Sequence, residues 1–385
     1  MKVLVTGGAG FIGSHLAKEL LSQNHKVVIL DNLDKQVHQD KNKAVKDIES
    51  MPAFKKGDLK FIKGDVTNYS DVKTAVHGCD AIAHLAATVG VGQSMYEIAY
   101  YTHSNITGTG MLYEVLIKEK IRLKKVVVAS SMSAYGEGLY ACDSCKGSFR
   151  GWNRPEEDLK QGKWDLSCPA CETPLKPVPV PETEPFHSTS VYAISKRDTE
   201  EIALMLGKAH DIPTIALRFF NVYGPGQSLS NPYTGVMAIF LSRVLNDKNP
   251  VVYEDGRQSR DFINVKDIAS AIRASLESDL NNEMFNVGNG KALEIKEIAD
   301  MSIKATGKQG SLVPEIKGLW RPGDTRHCFA DTAKITKMLD WHPKISLQKG
   351  MEELAQWTKN TSACDSFAKA TDELASYGLL RQGKS

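Results

Sequence analysis

No stretch of the sequence approaches the roughly 18 consecutive apolar residues that a membrane-crossing helix needs. Its opening, MKVLVTGGAG, also lacks the basic region followed by an apolar one that marks a secretory leader. No membrane association is expected, and a cytoplasmic location follows. Charge of one sign is missing too: 48 basic side chains stand against 46 acidic ones, a formal charge of +2, so no nucleic-acid partner is expected. Internal repeats are absent. What is present is ordinary for a globular enzyme, with 42% hydrophobic and 24% charged residues. A chain of 385 residues accommodates one large α/β domain and a smaller partner. Seven cysteines in a reducing compartment read as thiols or metal ligands rather than disulfides.

Short β-branched runs alternate with helical stretches over the first 220 residues: 2–6, 26–31, 59–63, 81–85, 124–130 and 214–219. That alternation predicts a Rossmann-like, doubly wound parallel sheet with crossover helices. A polar excursion over 34–58, mobile and partly helical, and a second one over 137–185 interrupt it. After Gly224 shorter elements, 251–253, 262–264 and 284–287, predict a smaller α/β substrate lobe over 221–360. Residues 361–385 read as a tail with a weakly amphipathic helix and a polar end.

Between the first strand and a helix beginning near Phe11, glycines stand at 7, 10 and 13. That spacing serves a tight turn, close approach of backbone to a pyrophosphate, and close packing of helix on strand. Gly7, Gly10, Phe11, Ile12 and Gly13 are therefore candidate dinucleotide-binding residues. The second strand ends in Asp31, where a carboxylate accepts hydrogen bonds from ribose hydroxyls and repels a 2′-phosphate, favouring NAD over NADP.

With Asp31-Asn32, Gly64-Asp65-Val66 after the third strand and His84-Leu85-Ala86-Ala87 after the fourth, the sequence resembles the extended short-chain dehydrogenase/reductases, and within them the NAD-dependent nucleotide-sugar epimerases and dehydratases. The matches cover most of residues 1–357. By that resemblance Asn32 accompanies Asp31, Asp65 and Val66 face the adenine, and Leu85, Ala86 and Ala87 line the middle of the cofactor. Asn105 then organises the neighbouring helix, and Phe219 belongs to the cofactor set. The resemblance also implies a homodimer, in which helices near 94–118 and 190–207 pair with their copies.

Tyr192 and Lys196 lie at i and i+4 on one face of a helical segment. Tyrosine, with a reference pKa of about 10, becomes a usable base when an ammonium and a nicotinamide cation favour its phenolate. Ser131, at the end of the fifth strand, can hydrogen-bond the reacting sugar oxygen, with Ser133 beside it. The two residues after Ser131 are Met132 and Ser133, where the 4,6-dehydratases of the family carry an Asp-Glu pair. Serine, tyrosine and lysine alone suffice to oxidise a sugar hydroxyl and return the hydride. By resemblance Asn221 contacts the phosphate and sugar of a nucleotide-sugar substrate, Arg260 and Arg321 its pyrophosphate, and Asp324 a ribose hydroxyl. Arginine suits the task because its planar fork donates two hydrogen bonds to phosphate oxygens.

The 137–185 excursion carries Cys142-x-x-Cys145 and Cys168-x-x-Cys171 around a 22-residue spacer, the pattern of a closed structural zinc site in a zinc-ribbon-like module. An inserted cysteine pair of pairs at this place resembles a subgroup of dTDP-L-rhamnose 4-epimerases. The expected activity is NAD-dependent nucleotide-sugar 4-epimerisation, of a dTDP-L-rhamnose or UDP-hexose type, through a 4-keto intermediate. The alternatives are an NAD(P)H-dependent 4-keto-sugar reductase and a non-catalytic NAD-binding protein.

Overall fold

The computed structural model describes residues 1–38, 40–361 and 363–384; Gln39 of the 34–58 excursion and Ser362 and Ser385 of the tail lie outside them. Its centre is a sheet of β1 (Lys2–Thr6), β2 (Lys26–Asp31), β3 (Leu59–Lys63), β4 (Ala81–His84), β5 (Lys125–Ser131), β6 (Thr214–Phe219) and β7 (Glu283–Val287). All seven are parallel, in the order β3-β2-β1-β4-β5-β6-β7. Parallel strands covered on both faces bury successive side chains alternately up and down. Val3 and Val5 of β1 accordingly join one core, and Leu4 joins the other.

Against the first face pack α1 (Phe11–Ser22) and, from far along the chain, the helix Val265–Glu277. Glu19 of the former pairs with Arg273 of the latter at 2.8 Å. The opposite face is covered by Gly108–Lys118 and by α2 (Val191–Ala209). Strand order reverses between β1 and β4, so the crevice at the carboxyl ends of these strands is where such a sheet takes a ligand.

One expectation needs correction. Residues 284–287 do not belong to the small lobe; they form β7, in register with β6 from Glu283 opposite Ile215 to Val287 opposite Phe219. Phe285 and Val287 are fully buried in the first core, and that burial draws the strand back to the large sheet.

The remaining lobe packs α3 (Val236–Leu245), Ile295–Ala305 and Leu347–Thr358 around Met237, Phe240, Phe262 and Met351. The 137–185 excursion forms a three-stranded antiparallel sheet of Leu139–Ala141, Ser148–Arg150 and Lys176–Val178 over a small core of Tyr140, Leu166 and Leu175. Within the tail, α4 (Phe367–Ser376) is followed by Arg381–Gln382, which pair antiparallel with Leu319–Trp320. Among the described residues no helix is long and apolar enough to cross a membrane.

Candidate active site

A cavity of about 1110 Å³ opens between the sheet and the small lobe. It is lined by residues that follow β1, β2, β3 and β4, by the ends of β5 and β6, and by lobe residues including Tyr253, Arg260 and Arg321. Every cofactor and substrate residue expected from the sequence lines it except Asn105.

The glycine turn is built for close approach. Gly7 has φ +67°, and a Cβ there would lie 2.8 Å from the Ala86 backbone. At Gly13 a Cβ would lie 2.2 Å from the Gly7 carbonyl oxygen, so only hydrogen lets α1 start this close to the turn. Gly13→Ala is therefore expected to destabilise the protein by roughly 1–3 kcal/mol and to strip it of dinucleotide. Thermal unfolding and absorbance of released cofactor measure both; an unchanged melting temperature with full cofactor content contradicts this reading of the turn.

Asp31 ties this turn to the next. Its Oδ2 accepts from Ala9 N–H at 3.0 Å and its Oδ1 from Leu33 N–H at 2.8 Å, with His38 Nε2 3.7 Å away. Asn32 donates to Asp65 Oδ2 at 2.9 Å, while Thr67 donates twice to Asp65 Oδ1. Burial raises the Asp65 carboxyl, but these hydrogen bonds to the ionised form outweigh it and hold the group below its usual range.

Asn105 lies behind the cavity wall, in a π-helical turn over His103–Thr107. Its amide donates to Thr88 O at 3.1 Å and Ser195 Oγ at 2.8 Å and accepts from Thr88 N–H at 2.8 Å, fastening the loop after β4 to α2. Asn105 itself does not line the cavity.

The α2 helix starts where Ser190 Oγ accepts from Ala193 N–H at 3.1 Å, a side-chain N-cap that puts Tyr192 and Lys196 on successive turns. Lys196 Nζ donates to Ala129 O of β5 at 2.8 Å. Ser131 Oγ accepts from Ser133 N–H at 3.2 Å and Ser133 Oγ–H at 2.9 Å. Burial pushes the Tyr192 phenol up, and a hydrogen bond with Ser131 pulls it partly back. The helix is clamped to β6 by buried Arg218, whose Nη2 meets Glu200 Oε1 at 2.6 Å while its Cζ lies 4.3 Å from the Phe186 ring centre. Neither Glu200 nor Arg218 stood out as a positioning pair in the sequence.

Burial also pulls Lys196 down from 10.5 to about 8. Between those two values the unfolded chain holds a proton that the folded one has released, so this group makes stability rise with pH across that window. In dinucleotide-free protein, Lys196→Met should flatten the rise. Unfolding at pH 7.5 and pH 10 checks it; the same slope in both proteins argues against a strongly depressed lysine.

On the substrate side, Asn221 Oδ1 is buried with no hydrogen-bond partner, an unmet acceptor in the cavity wall. Arg321 grips Asp324 Oδ2 through Nε at 3.0 Å and Nη2 at 2.7 Å. Arg260 donates to the carbonyls of Ser259, Thr325 and Arg326 and stands 3.6 Å from Asp324 Oδ1. Burial raises the Asp324 carboxyl, but Arg321, Arg260 and Arg154 over-ride it and keep it ionised. The structure thus brings Arg260, Arg321 and Asp324 together and engages the Asp324 carboxylate with arginine.

Two further groups escaped the sequence reading. Arg154 of the excursion binds Glu254 through both Nη atoms at 3.0 and 2.7 Å and donates to Asp324 O at 3.0 Å. Fully buried Arg326 completes this network on Glu254, Asp255 and Asp165. The second group is the tail, whose Phe367, Ala370, Thr371 and Leu374 form part of the cavity wall.

The four cysteine Sγ atoms lie within 4.8 Å of one another, with Cys142 and Cys171 3.5 Å apart and Cys145 and Cys168 3.8 Å apart. Tetrahedral zinc with Zn–S of about 2.3 Å requires S···S of about 3.8 Å, so the cluster fits that ion. Each Cys-x-x-Cys turn closes alike. Lys146 N–H bonds Cys142 O at 2.9 Å and Glu172 N–H bonds Cys168 O at 2.8 Å, with φ of +55° and +59° at Lys146 and Glu172.

Residues 3–150 match the model of the NAD dependent epimerase/dehydratase family and residues 174–354 that of GDP-mannose 4,6 dehydratase. A dTDP-L-rhamnose 4-epimerase of Burkholderia thailandensis is 34% identical over 360 residues, spanning 92% of this chain and 94% of that one. The chain belongs to the NAD-dependent epimerase/dehydratase family. Among solved members, the UDP-glucose 4-epimerase of Thermotoga maritima, determined with UDP-glucose, superposes with TM-score 0.73 at 27% identity, covering 93% of this chain and 99% of the other. The Thermus thermophilus UDP-glucose 4-epimerase, determined with NAD, gives 0.71 at 28% identity over 94% and 100%.

Proposed function

We propose that this family member is a nucleotide-sugar 4-epimerase with tightly held NAD, acting on dTDP-L-rhamnose or a UDP-hexose. The observation that carries the reading is one continuous cavity that joins the glycine turn, the Ser131, Tyr192 and Lys196 group and the Asn221, Arg260 and Arg321 side. The Gly7–Gly13 turn and Asp31 suit the pyrophosphate and ribose of NAD, which when bound accepts and returns a hydride.

Tyr192, in its phenolate form, takes the proton of the sugar C4 hydroxyl as a 4-keto group forms, and gives it back when that group is reduced on its other face. Ser131 Oγ–H donates to the same oxygen, and Ser133 holds Ser131 in place. The Lys196 cation favours the phenolate and steadies the cofactor side of the site. Asn221 offers its unmet acceptor to the substrate. No carboxylate pair follows Ser131, which supports epimerisation over loss of water.

The thiolates of Cys142, Cys145, Cys168 and Cys171 are suited to hold structural zinc, whose filled coordination sphere supplies no catalysis. A cytoplasmic setting keeps them reduced. Exposed Ile98, Ile194 and Met205, on helices expected to pair, support a homodimer. The epimerase needs no added cofactor. Purified protein denatured in acid should therefore release about one NAD per chain; a dinucleotide-free protein that consumes NADH once per turnover points to the reductase instead.

A further inference from the structure

We propose that the C-terminal segment 363–384 walls the nucleoside end of the substrate cavity and that Phe367 sets the affinity for a pyrimidine base there. The inference rests on the nucleotide-sugar reading above and concerns the part of the ligand farthest from Tyr192.

The segment is fastened at both ends and in the middle. At its start Asp365 pairs with Arg243 at 3.4 Å and Lys248 at 2.9 Å, and the Arg243 guanidinium lies 4.7 Å from the Phe367 ring centre. Midway, Tyr96 donates to Tyr233 at 2.7 Å, Tyr233 donates to Glu373, and Tyr377 stacks on Tyr96 with centroids 4.5 Å apart. At its end Arg381 pairs with Glu156, and Lys384 N–H bonds Lys160 O at 3.1 Å. The strap therefore runs from the small lobe, past the loop after β4, to the cysteine module.

Its inner face is part of the cavity. The Phe367 ring centre lies 6.5 Å from that of Tyr253, tilted by 53°, and Arg321 covers Tyr253 at 5.5 Å. A nucleotide sugar with C4 at Tyr192 and phosphates at Arg260 and Arg321 carries its base beyond those arginines, toward Tyr253 and the strap. Aromatic faces there suit a planar base. Gln258 lines the same cavity, and its Oε1 is buried without a hydrogen-bond partner while its Nε2 donates to Tyr253 O at 3.0 Å. An acceptor left over beside the aromatic pair matches the imide N–H of a 2,4-dioxopyrimidine, which a purine diphosphate such as ADP lacks.

Calorimetry of the NAD-loaded protein with dTDP, UDP and ADP tests this. The wild type should take dTDP or UDP at least tenfold more tightly than ADP, and Phe367→Ala should lose at least tenfold of that affinity with its NAD content unchanged. Should that variant not fold, hydrogen exchange of the wild type decides: dTDP should protect the amides of 363–384. Equal affinity of wild type and Phe367→Ala, or no protection of this segment on binding, overturns the proposal and leaves the epimerase reading intact. No binding of any nucleoside diphosphate by the wild type overturns both.

Discussion

Replacing Tyr192 by phenylalanine should slow epimerisation by roughly 10²–10⁴-fold, the usual contribution of a positioned general acid–base group. The substitution removes one oxygen and keeps the ring, which meets Tyr101 edge to face at 6.4 Å. The helix start depends on Ser190 and on the Tyr192 backbone N–H bonded to Ser94 Oγ at 3.0 Å, and both survive the change. NAD content and melting temperature should therefore stay at wild-type levels. Because the Lys196 cation favours the phenolate, Lys196→Met should move the rise of activity with pH to higher pH. A Tyr192→Phe rate within threefold of wild type would falsify the proton-transfer role.

The second large effect is expected at the four-cysteine cluster, for which zinc is proposed. Apparent zinc-binding energies of such sites reach about 10–16 kcal/mol, and small zinc modules are unfolded without their ion. Here the module core is small, centred on Tyr140, Leu166 and Leu175 beside the cysteines. Cys168→Ala, or treatment with a strong chelator, should abolish stoichiometric zinc and open the 137–185 segment to protease. The loss should also reach the substrate side. Arg154 holds Asp324 O and Glu254, and Glu137 accepts from Arg326 N–H at 2.7 Å and His327 N–H at 2.8 Å, so an unfolded module releases the turn that presents Arg321. We expect at least a tenfold rise in KM for the nucleotide sugar, with a smaller change in kcat and NAD still bound, since the two sheet cores contain no module residue. A metal-free protein with normal KM and an intact 137–185 segment shows the module to be independent of zinc.

The first six strands were legible because each is a short, largely apolar run alternating with helical stretches, and the glycines and Asp31 fall at strand ends where a dinucleotide site needs them. Ser131 likewise ends a strand, whereas Tyr192 and Lys196 stand out by their i, i+4 spacing on a helix. Strand β7 was misplaced because its local pattern does not distinguish a lobe strand from a sheet edge; its pairing with Thr214–Phe219 does. The tail shows the same limit. Phe367, Ala370, Thr371 and Leu374 recur at helical spacing, which announces a buried face, but its docking ground depends on Tyr96, Tyr233 and Arg243 elsewhere in the chain. Arg154, Glu254 and Arg326 carry no spacing signal at all, being brought together by the fold. The cysteine cluster needed no fold to be seen, since each Cys-x-x-Cys is a local turn.

The most direct test of the epimerase reading is to incubate the purified protein, without added reductant, with dTDP-L-rhamnose, UDP-glucose and UDP-glucuronate in turn, and to read the sugar configuration by NMR. The account predicts that one of them reaches an equilibrium mixture with its C4 epimer and no net change in NADH. Absence of any C4 epimer, followed by reduction of a 4-keto nucleotide sugar once NADH is supplied, contradicts it.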